Sequence, residues 1–186
     1  MGLAFLLALS PALFAQTLSP VQDAYVFPGN PNLFGSAVNI SVGSNQSFGL
    51  IQFDLSVLPS GTTASQIQKA LLTVYVNKVN TAGTINVFAA NGAWTEASVS
   101  GFNAPAPGAA VATNIPVSLA GQFITVDATS AVQFWLNSPG SNAGFLIAAN
   151  GSANIQLDTK ESTNTSHAAK LSIILTNTGT AGATGA

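Results

Sequence analysis

Residues 48–61, Phe48-Gly49-Leu50-Ile51-Gln52-Phe53-Asp54-Leu55-Ser56-Val57-Leu58-Pro59-Ser60-Gly61, constrain the fold more than any other stretch. Ile51, Phe53 and Leu55 alternate with Gln52 and Asp54. Strand side chains point alternately to opposite faces, so this run offers one greasy face to a core. It closes on Leu-Pro-Ser-Gly, a turn signal with a fixed-φ proline and a permissive glycine. Such a strand needs partners that cover its apolar side.

The rest of the chain supplies them. Asp23-Ala24-Tyr25-Val26-Phe27 is a short strand, after an extended lead-in over 16–22. The cluster Pro28-Gly29-Asn30-Pro31-Asn32 stops it. Val38, Ile40 and Val42 alternate with polar residues, as do Ala70, Leu72, Val74 and Val76, then Ile85, Val87 and Ala89. Leu71 and Tyr75 occupy the second face of their strand and place it centrally. Residues 101–112 are rich in Gly, Ala and Pro and lack a period, which reads as a long loop. Ile115-Pro116-Val117 reads as an edge piece, because an inner strand tolerates proline poorly. Phe123–Val126, the doubly apolar Gly144–Ala149, Ile155–Leu157 and Leu171–Leu175 complete the strands.

One segment changes period. Ala128, Ala131, Val132, Trp135 and Leu136 fall at helical spacing, with Asp127 or Thr129 as N-cap and Asn137-Ser138-Pro139-Gly140 as the stop. About ten short strands and one helix over roughly 129–136 predict an all-β protein, an antiparallel β-sandwich of jelly-roll type. The domain spans 16–176.

Its ends differ in character. Residues 1–15 are apolar, match a signal-peptide core, and are too short to span a bilayer. Ala15 is the expected cleavage point, so the protein is read as secreted or displayed at the cell surface. Residues 177–186 are Gly/Thr-rich, with Gly179, Gly182 and Gly185 at every third position. That is either a flexible linker or the start of a collagen-like tract.

Charge is scarce. Only 5% of residues are charged, against about 25% in ordinary domains. The net charge of −2 leaves little to oppose self-association. Four lysines and no arginine cannot line a phosphate backbone, which excludes nucleic acid as a partner. With no cysteine there is neither a disulfide nor a thiolate zinc site.

The order of these segments resembles the DNRLRE domain family, a carbohydrate-binding-module-like sandwich related to disaggregatase modules. The matching residues are Asp23–Val26, Ile51–Pro59, Ala70–Val76, Trp94-Thr95-Glu96, Val126–Thr129 with Val132–Trp135, Asn142–Phe145, Lys160-Glu161-Ser162 and the final strand from Leu171. Where that family carries arginine beside the Phe-Asp-Leu strand, this chain has Gln46, Phe48 and Gln52. The resemblance implies an extracellular, non-catalytic β-sandwich found in surface and carbohydrate-active proteins.

The chemistry available is limited. His167 lies in a polar loop, without a cysteine partner. Glycoside hydrolysis needs two facing carboxylates. Glu96 with Asp54 or Glu161 is the available choice, but Asp54 and Asp127 stand where carboxylates cap turns and helix starts, and Glu96 is expected to bond backbone near Trp94. No enzyme is expected. No cofactor is required. A structural calcium is the one ion the residues allow, with Asp23, Asp158 and Glu161 as its ligands, although their spacing does not of itself specify a site. Sugar binding calls for exposed aromatic faces. Trp135 belongs to the helix's core stripe, which leaves Tyr25, Phe34 and Trp94 as candidates.

Two functions follow. The first is an exported structural or adhesive module that associates with copies of itself, as a filament or matrix subunit or as the head of a collagen-like stalk. The second is a module that binds an extracellular polysaccharide.

Overall fold

The computed structural model describes residues 13–176. The predicted apolar segment therefore falls mostly outside the described residues, as does the whole of the predicted tail over 177–186. Two antiparallel sheets pack face to face. The first contains β1 (Leu13–Leu18), β11 (Lys170–Thr176), β5 (Ile67–Thr81), β10 (Asn154–Asp158) and β3 (Asn39–Val42), with β8 (Gln122–Asp127) also paired to β5. The second runs β2 (Pro20–Val26), β4 (Phe48–Phe53), β9 (Phe145–Asn150), β6 (Gly83–Asn91) and β7 (Ala106–Val117). Among the described residues the single α-helix, α1, spans Thr129–Asn137. This is the all-β sandwich with one short helix that the sequence predicts. Among the described residues, no helix is long and apolar enough to cross a membrane.

The strand around which the chain is built, β4, lies between β2 and β9. Ile51 and Phe53 face the other sheet and are buried in the main core with Leu72, Ile85, Trp135, Phe145 and Ile147. The strand's opposite face is buried too. Leu50, Leu146, Ala24, Val26 and Ala90 pack under the loop between β6 and β7, which contributes Trp94 and Val99. Hence β9 reads as apolar on both sides, as strands covered on both faces do, while β4, read as greasy on one face, also buries Leu50 on its second.

β5 organises the other sheet. Leu71–Val76 pair with β8, Ile67–Thr73 with β11, and Val76–Thr81 with β10. Its inward face, Ala70, Leu72, Val74 and Val76, is the predicted alternation. The turn after β3 depends on Gly43 at φ +105°; a Cβ there would lie 1.8 Å from the Ala153 carbonyl oxygen. A side chain cannot be accommodated without moving backbone.

Two boundaries differ from the sequence reading. The lead-in is two strands, because Leu13–Leu18 pair with β11 from Leu13↔Thr176 to Leu18↔Leu171. The loop expected over 101–112 is half strand. β7 begins at Ala106 and follows β6 through several bulges. As a bulged edge strand it has no clean alternation to read. Pro116 lies on this edge, as expected. At the start of α1, the Asp127 carboxylate accepts from the Thr129 N–H (3.0 Å) and hydroxyl (2.5 Å). It also accepts from the Lys69 ammonium at 2.5 Å. These donors hold the Asp127 carboxyl down at about 2, with the Lys69 bond the largest cause.

Candidate functional site

A wide concavity lies between α1 and the second sheet. It is a groove of about 810 Å³, within the size range of small-ligand sites. Its floor is small and apolar: Ala89 and Ala90 from β6, and Gly108, Ala109 and Ala110 from β7. One wall is α1, which presents Ser130, Phe134 and Trp135. Ser130 and Phe134 are one helical turn apart, so they stand on the same face. Trp135 is only 2% exposed and packs edge-on against Phe145 in the core, with ring centroids 4.9 Å apart. Phe134 is 57% exposed. Asn91, Asp127, Thr129 and Ser141 supply polar atoms at the rim. The one carboxylate among them, Asp127, is already paired with Lys69 and Thr129.

The predicted aromatic candidates are placed elsewhere. Tyr25 and Phe34 stack on each other, with centroids 4.5 Å apart and planes 18° apart, and Phe27 meets both edge-on. Each ring gives one face to the other, so the cluster closes the margin of the sandwich beside β2. Burial raises the Tyr25 phenol above its ordinary value. Trp94 is 8% exposed, and its indole N–H donates to the Ala143 carbonyl at 2.8 Å. It fixes the covering loop onto β9 and offers no open ring face. A second exposed aromatic patch lies on the outer face of the first sheet. There Phe123 and His167 pack over Tyr75, at centroid distances of 5.0 and 4.2 Å from it.

The acids also regroup. Asp158 is buried and holds its loop by accepting from Asn77 Nδ2 (2.7 Å), Thr165 Oγ1 (2.5 Å) and the His167 N–H (3.0 Å). It does not meet the other two residues predicted as calcium ligands. Asp23 and Glu161 do come together, and the third member of their group is Glu96, from the loop after β6. The expectation for Glu96 is corrected. Its carboxylate accepts from the Lys160 ammonium, which also donates to Glu161. Its backbone N–H donates to Gln22 Oε1 at 2.8 Å. Burial pushes the Asp23 carboxyl up to about 7, against the lowering effect of the Lys160 N–H on Asp23 Oδ2. For Glu161, burial acts upward, but Lys160 and Asp23 hold it below the usual range. Burial likewise opposes the charge on Lys160, yet its bonds to Glu161 and Glu96 raise it. A glycosidase acid must reach a glycosidic oxygen. Asp23, the member pushed up, is 1% exposed and cannot. Asp54 is remote from this group in role: it accepts from the Ser56 N–H at 2.8 Å and caps the turn.

Two antiparallel sheets packed face to face, with a groove between α1 and β7 and Phe134 exposed at its wall, define a β-sandwich domain. The chain matches the model of carbohydrate-binding module family 96 over residues 15–174 and belongs to that family. No curated protein matches it.

Proposed function

We propose that this chain is an exported, non-catalytic module that holds a polysaccharide in the groove between α1 and β7. One observation carries the reading: Phe134 stands exposed on the groove wall, beside Ser130, over a floor of alanine and glycine. A sugar ring has apolar C–H faces and hydroxyl edges. An open aromatic ring receives the first, rim hydroxyls and amides receive the second, and small floor residues let the ring approach. Phe134 would take the C–H face. Asn91, Ser130 and Ser141 would take hydroxyls. Asp127 is paired with Lys69, and among the described residues no other charged side chain lines the groove, which favours a neutral polysaccharide.

Affinity electrophoresis of the full chain through gels containing neutral and acidic polysaccharides tests this. Retardation by a neutral polysaccharide, lost in Phe134→Ala, is the expected result. Free migration through every gel would sink the reading.

The scarcity of charge favours a second reading, a self-associating subunit of a filament or matrix, or the head of a collagen-like stalk. Sedimentation velocity over a wide concentration range separates the two, because a single monomer species at high concentration rules self-association out.

A further inference from the structure

Three chain segments far apart in sequence meet at the margin of the sandwich. β2 brings Asp23, the loop after β6 brings Glu96, and the loop after β10 brings Lys160 and Glu161. One carboxylate oxygen from each acid lies within 4.8 Å of the others. Asp23 is 1% exposed, and its Oδ1 is buried with no hydrogen-bond partner, while Oδ2 is held by the Lys160 N–H at 2.8 Å. Glu161 Oε2 is likewise buried and unpartnered. The two carboxyl groups are within hydrogen-bonding reach of each other. Carboxylate oxygens only accept, so two of them in contact need something positive between them. Burying such oxygens unpaired is costly.

Lys160 does not meet that need. Its ammonium binds Glu96 and Glu161 through Oε1 of each and leaves both orphaned oxygens without a donor. One positive charge among three carboxylates also leaves room for two more.

We propose that Asp23, Glu96 and Glu161 form a binding site for a divalent cation of the calcium type. Calcium binds oxygens at 2.3–2.6 Å, so oxygens on opposite sides of one ion are up to about 5 Å apart; for magnesium the limit is about 4.2 Å. The oxygens of this group all lie within 4.8 Å of one another, inside the calcium limit. A cleft of about 570 Å³, lined by Glu96, Glu161, Gln22, Ser36 and Thr95, opens onto the group and gives the ion a path. The Lys160 side chain is partly exposed, and it turns outward as the ion enters. Its backbone N–H keeps Asp23 in place. The ion ties both loops to β2. This site is independent of the groove beside α1, with which it shares no lining residue.

The test uses the full chain stripped with chelator, at neutral pH. Isothermal titration with CaCl2 alone is expected to show one site per chain, and millimolar calcium to raise the thermal midpoint by several degrees, because a ligand of the native state stabilises it. Glu96→Gln, at the cleft, is expected to weaken calcium at least tenfold while leaving the chelated protein folded. Lys160→Met removes the competing ammonium and is expected to tighten calcium severalfold, a direction that a purely structural role for Lys160 would not give. Absence of heat and of midpoint shift in the native chain overturns the site. So does a calcium response unchanged in Glu96→Gln. A midpoint that rises on acidification but ignores calcium assigns the orphaned oxygens to a shared proton and overturns it equally.

Discussion

The indole N–H of Trp94 donates to the carbonyl oxygen of Ala143 across 2.8 Å, joining the loop after β6 to the start of β9. That bond makes Trp94 part of the scaffold. Trp94→Phe keeps the ring but strands a buried acceptor, at a cost of about 1–2 kcal/mol. Urea denaturation should show this loss, while retardation in polysaccharide gels stays at the native value.

Phe134 should behave in the opposite way. It is exposed, so Phe134→Ala is expected to leave the thermal midpoint within a degree or so of native. If the ring is the groove's main contact, its removal weakens polysaccharide binding by about 2 kcal/mol, roughly thirtyfold. Titration of a soluble oligosaccharide measures this directly.

Asp158 anchors the loop that carries His167. Asp158→Ala leaves the donors of Asn77, Thr165 and the His167 backbone without their acceptor. Each stranded donor costs about 1–3 kcal/mol, lessened where water reaches it, so a loss of about 3 kcal/mol is expected in chemical denaturation. His167→Ala keeps those bonds, loses ring packing on Tyr75 and Phe123 and the approach of Nδ1 to the Asp158 carboxylate at 3.8 Å, and should cost less.

Asp23 sets a pH dependence in chelated protein. Its folded value, about 7, lies above the ordinary aspartate range, so the folded state binds more protons than the unfolded state. Stability should therefore rise as pH falls from about 8 to about 5. Glu161, held low, and Asp127, at about 2, act in the other direction and erode stability at still lower pH. Thermal midpoints across that range check the sign, and Asp23→Asn should flatten the rise.

Much of the fold is legible in single segments. The alternations at Ile51 and Phe53 and along Ala70–Val76 are local facts, and they mark the core because a strand has only two faces. The helical stripe is equally local. It even holds the signal for the groove: Phe134 is an apolar residue off the stripe formed by Ala131, Val132, Trp135 and Leu136, and a large side chain off the core face points to solvent. Local sequence points instead to Tyr25, Phe34 and Trp94; the stacking of the first two and the bond of the third to Ala143 depend on loop paths that spacing does not encode. β7 escaped notice because bulges erase its period. The grouping of Glu96 with Asp23 and Glu161 is set by sheet topology, so the sequence offered Asp158 instead.

Leu13 lies opposite Thr176 in the β1–β11 pair. The described chain thus enters and leaves through adjacent antiparallel strands, and neither strand lines the groove. A unit with neighbouring entry and exit points can be spliced into a surface loop of a host protein without prying the host's own loop ends apart. Such a host would join it at the adjacent outer ends of β1 and β11, leaving the groove free.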